Sequence, residues 1–259
     1  MAKNSTGEMP FLDHLEELRW RIVWSLGAMV VGVIAGFTLV TRFELIRILQ
    51  EPIAPYLPGK LVYTSPADPF SITLNAAIII GIIIASPVLI YQVWAFLSPA
   101  LHRHEKKVVI PVIIGAVLLF VAGVAMSYFF VLPMILKFLM NFQAASLEPM
   151  ITAAGYFSMV STLALTFGAA FELPVLILAL AALGLVTPKF LSKFRPYALV
   201  LAFLASAIVT PGDIFLATLA LCVPLYLLYE MSIVLALIIF RKRQAAAVSA
   251  EPSAAEGAA

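Results

Sequence analysis

Ser71 to Leu97 reads SITLNAAIIIGIIIASPVLIYQVWAFL, 27 residues without a single Asp, Glu, Lys or Arg. A helix crossing the roughly 30 Å hydrocarbon core of a bilayer needs about 20 apolar residues, and this run exceeds that. Comparable runs occur at about Ile22–Val40, Val108–Leu132 and Tyr156–Val186, with two more at about Tyr197–Val209 and Ile214–Phe240. The reading is an all-α membrane protein of six transmembrane helices.

Composition supports this. Hydrophobic residues make up 63% of the chain and charged ones 12%, with a mean hydropathy of +1.06. Soluble domains hold roughly 45–50% apolar and about 25% charged residues. One large buried core does not account for the difference, so most of the chain has lipid for a solvent. Residues 1–243 are expected to form a single polytopic domain, and the Ala-, Ser-, Glu- and Pro-rich stretch 244–259 a disordered cytoplasmic tail. The start, MAKNSTGEMPF, lacks the short apolar core of a removable signal peptide.

Lys and Arg set the orientation. With the N-terminus inside, the inner segments hold twelve of them, including Arg19, Arg21, Arg103, Lys189, Arg195 and Arg241. The outer segments hold four: Arg42, Arg47, Lys60 and Lys137. The positive-inside rule therefore puts both termini in the cytoplasm. The fifth span is short. Only 17 residues separate Arg195 from Asp213, about 25 Å of helix at ~1.5 Å per residue, so the last two spans should thin the membrane or admit water. Prolines at 52, 55, 58, 66 and 69 make the first outer loop a semi-rigid cap with short helical turns. The second outer loop, Pro133–Gly155, is apolar enough to lie along the interface.

Catalytic chemistry finds no support. Metal-ligand spacings, phosphate-binding glycine loops and nucleophile elbows are absent, and Cys222 is the one cysteine. Attention falls instead on misplaced polar residues. Phe11, Leu15, Leu18 and Ile22 recur at helical spacing, an apolar stripe entering the first span. Asp13, Glu16 and Glu17 lie off that stripe, either as an interfacial helix with Glu17 and Arg21 paired at i,i+4 or as an acidic patch for a cationic ligand. In the loop from Leu97 to Lys107, Glu105 stands among bases, where an acid adds nothing to orientation. Glu172 is different in kind: mid-span, an ionisable side chain costs several kcal/mol unless neutral, paired or hydrated. Pro174 deprives the carbonyl of Ala170 of its helical partner, so Glu172 is expected to face a concave, partly wet cavity. Gln92 is a weaker intramembrane polar site. Asp213 reads as an N-cap for the sixth span, while Pro87 shapes the second.

Phe11-x-x-His14-Leu15-x-Glu17-Leu18-Arg19 resembles the TatC family, core receptors of the twin-arginine protein translocase. The resemblance continues at Ser65-Pro66-Ala67-Asp68-Pro69-Phe70, Pro87-x-x-x-Tyr91-Gln92-x-Trp94-x-Phe96, Pro99-Ala100-Leu101 to Glu105, Phe171-Glu172-x-Pro174, Arg195-Pro196-Tyr197 and Thr210-Pro211-x-Asp213. It implies a cupped, concave bundle in the bacterial cytoplasmic (inner) membrane, with Glu172 on the concave face. It further implies recognition of consecutive signal-peptide arginines by Glu17 and Glu105, within a surface that includes His14, Leu18 and Arg19, with Phe96 and Trp94 as apolar walls. Pro52, Asp68, Pro87 and Asp213 are implied as structural or periplasmic positions. The implied partners are TatA- and TatB-type single-span proteins, twin-arginine signal peptides of folded cargo, membrane lipid and further copies of the chain. No cofactor and no nucleic acid is implied. Export of folded proteins would draw on the proton-motive force. The alternative weighed beside this is a small proton-coupled solute transporter using Glu172.

Overall fold

The apolar runs do form helices, in a computed structural model that describes residues 11–57, 59–97, 109–141, 150–182, 184–209 and 215–250. In chain order they are α1 (Phe11–Arg42), α2 (Leu45–Gln50), α3 (Asp68–Leu97), α4 (Val109–Met126), α5 (Leu132–Asn141), α6 (Ala153–Phe171), α7 (Leu173–Ala182), α8 (Pro188–Lys193), α9 (Arg195–Val209) and α10 (Phe215–Ala250). Among the described residues five stretches are long and apolar enough to cross a membrane: Leu15–Arg42, Asp68–Phe96, Ile110–Asn141, Ala153–Ala181 and Leu221–Ile238. The shorter apolar helix Arg195–Ile208 stands where the short fifth run was expected. At 15 residues, α9 is about 22 Å long at ~1.5 Å per residue, short of a full crossing.

These helices form an open arc. Along the bundle α1 packs on α3, α3 on α4 and α6, α4 on α6, α7 on α10, and α10 on α9. One flank of α1 is left uncovered: Trp24, Val31 and Ile34 are all more than 60% exposed. In water such a flank would be unstable; against lipid it is the normal outer surface. This is the cupped bundle expected.

Three boundaries differ from expectation. The third span runs on to Asn141, so 133–141 is helix and not an interfacial loop. A π-helical turn over Ser127–Val131 precedes Pro133, and such a widened turn lets a helix absorb a residue that lacks an N–H. The fourth span breaks at Glu172 into α6 and α7, and ends at Ala182, before Val186. At the far end α10 continues to Ala250, taking in 244–250 of the expected tail. Gln244 to Val248 is Gln-Ala-Ala-Ala-Val, and glutamine and alanine have high helix propensity. Residues 251–259 lie outside the described set.

The loop between α1 and α3 is the expected cap, and its turns have identifiable causes. Ser65 and Pro66 open the turn that leads into α3, a position where the missing proline N–H costs nothing. Asp68 Oδ2 accepts from the Ser65 and Thr64 N–H groups at 2.9 Å each, as the third residue of a capping box does. Val62 pairs with Thr152 in a parallel β-bridge. Two phenols lock α2 down: Tyr128 donates to the Ile48 carbonyl and Tyr156 to the Leu49 carbonyl, both at 2.6 Å. Pro52 lies in the turn between α2 and the 3₁₀ segment Ala54–Tyr56. Beneath the cap sits the largest buried cluster, including Ile53, Leu132, Ile135, Tyr156, Leu163 and Phe167. Tyr156→Phe deletes one buried donor, so it should destabilise the protein by about 1 kcal/mol. A thermal melt in detergent is expected to fall by roughly 2–4 °C.

Candidate functional site

The capped end holds the large buried cluster; the opposite end, where α1 begins and α3 finishes, carries the Glu17, Arg21 and Gln92 side chains. Their placement depends on how closely α1 approaches α3. A Cβ built on Gly81 would sit 2.6 Å from the Val33 amide nitrogen and 2.7 Å from its Cα. One on Gly32 would strike the Gly81 carbonyl, and one on Gly36 the Ala77 carbonyl. The two backbones are thus in direct contact, the result that small residues four apart produce in apolar surroundings. Gly32 and Gly36 supply that spacing in α1, and Ala77, Gly81 and Ala85 in α3.

Beyond this seam, toward the start of α1, is a three-residue constellation. Arg21 donates from Nε to Glu17 Oε1 at 3.0 Å, and its Nη2 engages the same oxygen. Its Nη1 reaches Gln92 Oε1 on α3 at 3.4 Å. Glu17 and Arg21 are half-buried, with side chains 22% and 21% exposed. The i,i+4 pair was legible in the sequence; its tie to Gln92 needed the α1–α3 contact. On the same end Arg195 bonds Glu230 at 2.8 Å, and Tyr226 donates to the other Glu230 oxygen at 2.7 Å.

Glu172 occupies the junction of α6 and α7. Its N–H turns back to the carbonyls of Ala169 and Ala170, so the Ala170 acceptor beside Pro174 is not wholly orphaned as expected. Its Oε1 is buried and has no hydrogen-bond partner among the described residues. The residue lines a cavity of about 310 Å³ with Ile82, Ser86, Leu89, Trp94, Phe120 and Leu176. That wall is mostly apolar. The Ser86 hydroxyl is committed elsewhere, donating to the Ile83 carbonyl at 2.7 Å, the acceptor that Pro87 leaves without its helical N–H. Pro87 therefore passes through α3 without ending it.

The remaining expected site residues separate into groups. Leu18 is half-buried and Arg19 exposed on α1; Phe96 is half-buried near the end of α3. Trp94 is buried in the wall of the Glu172 cavity. Residues two apart on a helix do not face each other, so Trp94 and Phe96 lie on different faces of α3. Glu105, Asp213 and the His14 side chain lie outside the described residues.

The model of the family described as "Sec-independent protein translocase protein (TatC)" matches residues 13–224. A relative of that description from Aquifex aeolicus (strain VF5) is 40% identical over 239 residues, covering 91% of this chain and 98% of its own. The Escherichia coli (strain K12) relative is 36% identical over 228 residues, covering 86% of each. This chain belongs to the TatC family. A solved structure described as the crystal structure of the twin-arginine translocase receptor TatC in DDM superposes with a TM-score of 0.79 at 39% identity, covering 86% of this chain and 99% of the other.

Family membership makes this TatC-family chain a multi-pass membrane component of a protein translocase and not an enzyme. The motif residues from His14 to Asp213 fall inside the matched range, and Phe11 lies just before it. The glycine seam escaped the sequence reading. The signal was present as Gly32-x-x-x-Gly36, but one such spacing does not reveal which helix it packs against.

Proposed function

We propose that this chain is the receptor subunit of a twin-arginine translocase, binding consecutive signal-peptide arginines where α1 and α3 meet. The observation that carries this is the Glu17–Arg21 contact: the carboxylate already accepts two N–H groups of a guanidinium, in a half-buried position. An arginine offers a planar fork of donors that lysine's point charge cannot reproduce, so a carboxylate held this way favours arginine. Glu105 would supply the acid for the second arginine. Leu18 and Phe96 would give the peptide apolar surface, and His14 and Arg19 belong to the same helical end.

In this reading both termini face the cytoplasm of a bacterial cell, as the Lys and Arg distribution favours. The open arc leaves a concave face for TatA- and TatB-type single-span helices and for further copies of the chain. Glu172 is its polar site at depth, while Asp68, Pro52, Pro87 and Asp213 hold the frame. The relationship to protein translocases leaves the solute transporter weighed above without an observation in its favour.

The test is crosslinking of a reporter signal peptide carrying Arg-Arg or Lys-Lys at its motif. Glu17→Ala combined with Glu105→Ala should cut Arg-Arg crosslinking at least tenfold, toward the Lys-Lys level. Crosslinking indifferent to both changes would remove the receptor assignment.

A further inference from the structure

We propose that Arg21 is a built-in competitor for the docking carboxylate, setting the affinity threshold a signal peptide must exceed; this rests on the receptor reading above. Arg21 presents to Glu17 the same chemical group that an incoming arginine would bring, and it uses two donors on one oxygen. A signal peptide reaching Glu17 does not find a vacant carboxylate. It exchanges one guanidinium for another.

The exchange has a structural outlet. Arg21 also reaches Gln92 Oε1 across the helix seam at 3.4 Å, so a displaced fork keeps an acceptor instead of entering an apolar surface alone. Gln92 is half-buried on α3, and its position relative to Arg21 is fixed by the Gly32–Gly81 contact. Both partners of the ion pair keep about a fifth of their side-chain surface open, enough for a ligand to approach without prior separation of the helices. Because Arg21 is tethered one turn away, its effective concentration at Glu17 is high and independent of peptide supply.

Competition has a defined thermodynamic form. The apparent dissociation constant rises by the inverse of the fraction of molecules in which Glu17 is available. An exposed i,i+4 pair leaves that fraction near one half, and partial burial lowers it further, so the handicap is roughly three- to tenfold. A peptide that engages Glu17 carries the whole handicap; one that binds elsewhere carries none. Arg21 therefore acts on twin-arginine peptides through Glu17 and not through general charge.

The experiment is equilibrium binding of a fluorescent Arg-Arg signal peptide to the full chain in lipid nanodiscs, comparing wild type, Arg21→Gln, Arg21→Lys, Glu17→Gln and the Glu17→Gln/Arg21→Gln double variant. Arg21→Gln should tighten binding roughly three- to tenfold. Arg21→Lys should give a smaller gain, since an ammonium holds the carboxylate without a fork; it also serves if Arg21→Gln does not fold. The double variant should bind no better than Glu17→Gln alone. Unchanged or weaker binding by Arg21→Gln, with Glu17→Gln still harmful, overturns the competitor role and makes Arg21 a positioning residue while docking stands. Binding indifferent to Glu17→Gln overturns the docking reading and this inference together.

Discussion

Gly81→Leu should lower the thermal midpoint of the detergent-solubilised protein by roughly 6–12 °C, a larger loss than Tyr156→Phe by a factor of about three. Where Gly81 passes Val33, a single added Cβ would already lie 2.6 Å from backbone nitrogen. The obstruction is main chain, which no rotamer change relieves. Overpacking in a well-filled interior ordinarily destabilises by about 1–3 kcal/mol, and a leucine against immovable backbone should reach the top of that range. At roughly 2–4 °C per kcal/mol for a chain of this size, the shift follows. Gly81→Ala should fall between leucine and wild type. The functional consequence is specific, because Gln92 lies about three helical turns along α3 from Gly81 and α1 has few other supports. Moving α1 off α3 separates Arg21 from Gln92, so Arg-Arg peptide binding should weaken together with the melt. A melt within about 2 °C of wild type would show that the seam is looser than its geometry implies.

Glu172→Leu should do the opposite to stability. The Oε1 of Glu172 is buried without a hydrogen bond among the described residues, and an unsatisfied buried polar atom costs about 1–3 kcal/mol. Leucine fits the chemistry of the wall, which Ile82, Leu89, Phe120 and Leu176 already line. The melting temperature is expected to rise by several degrees. Signal-peptide binding should stay within about twofold of wild type, because the cavity lies between α3 and the α4, α6 and α7 helices, whereas the Glu17 constellation lies where α1 meets α3. A fall in melting temperature would mean that the carboxyl group has a structural partner; loss of peptide binding would mean that docking reaches the cavity. Retention of so costly a group in the wild-type chain suits a role in the assembled translocase, where function and stability commonly pull apart.

Runs such as Ser71–Leu97 can satisfy their backbone groups in lipid only as helices, so composition alone forces the secondary structure. The i,i+4 pair of Glu17 and Arg21 likewise follows from helix periodicity. Breaks in the helices were less legible. Pro174 marked a disturbance near Glu172, whereas Pro133 was absorbed by a π-turn and Pro87 by the Ser86 hydroxyl. Proline removes a donor; whether the helix ends depends on what else reaches the freed carbonyl.

The six apolar runs, the shortness of the fifth and the identity of the misplaced acids were settled by the sequence, because each depends on local composition measured against a membrane of fixed thickness. Which helices touch was decided only by the tertiary structure. Gly32, Gly36 and Gly81 read as three unremarkable residues until their backbones meet, and Arg21 is a helix-surface base until that meeting brings Gln92 to its side. Lipid is as apolar as the side chains facing it, so hydrophobicity gives no preference for one neighbour over another. Close packing of small residues and a few polar contacts made the choice.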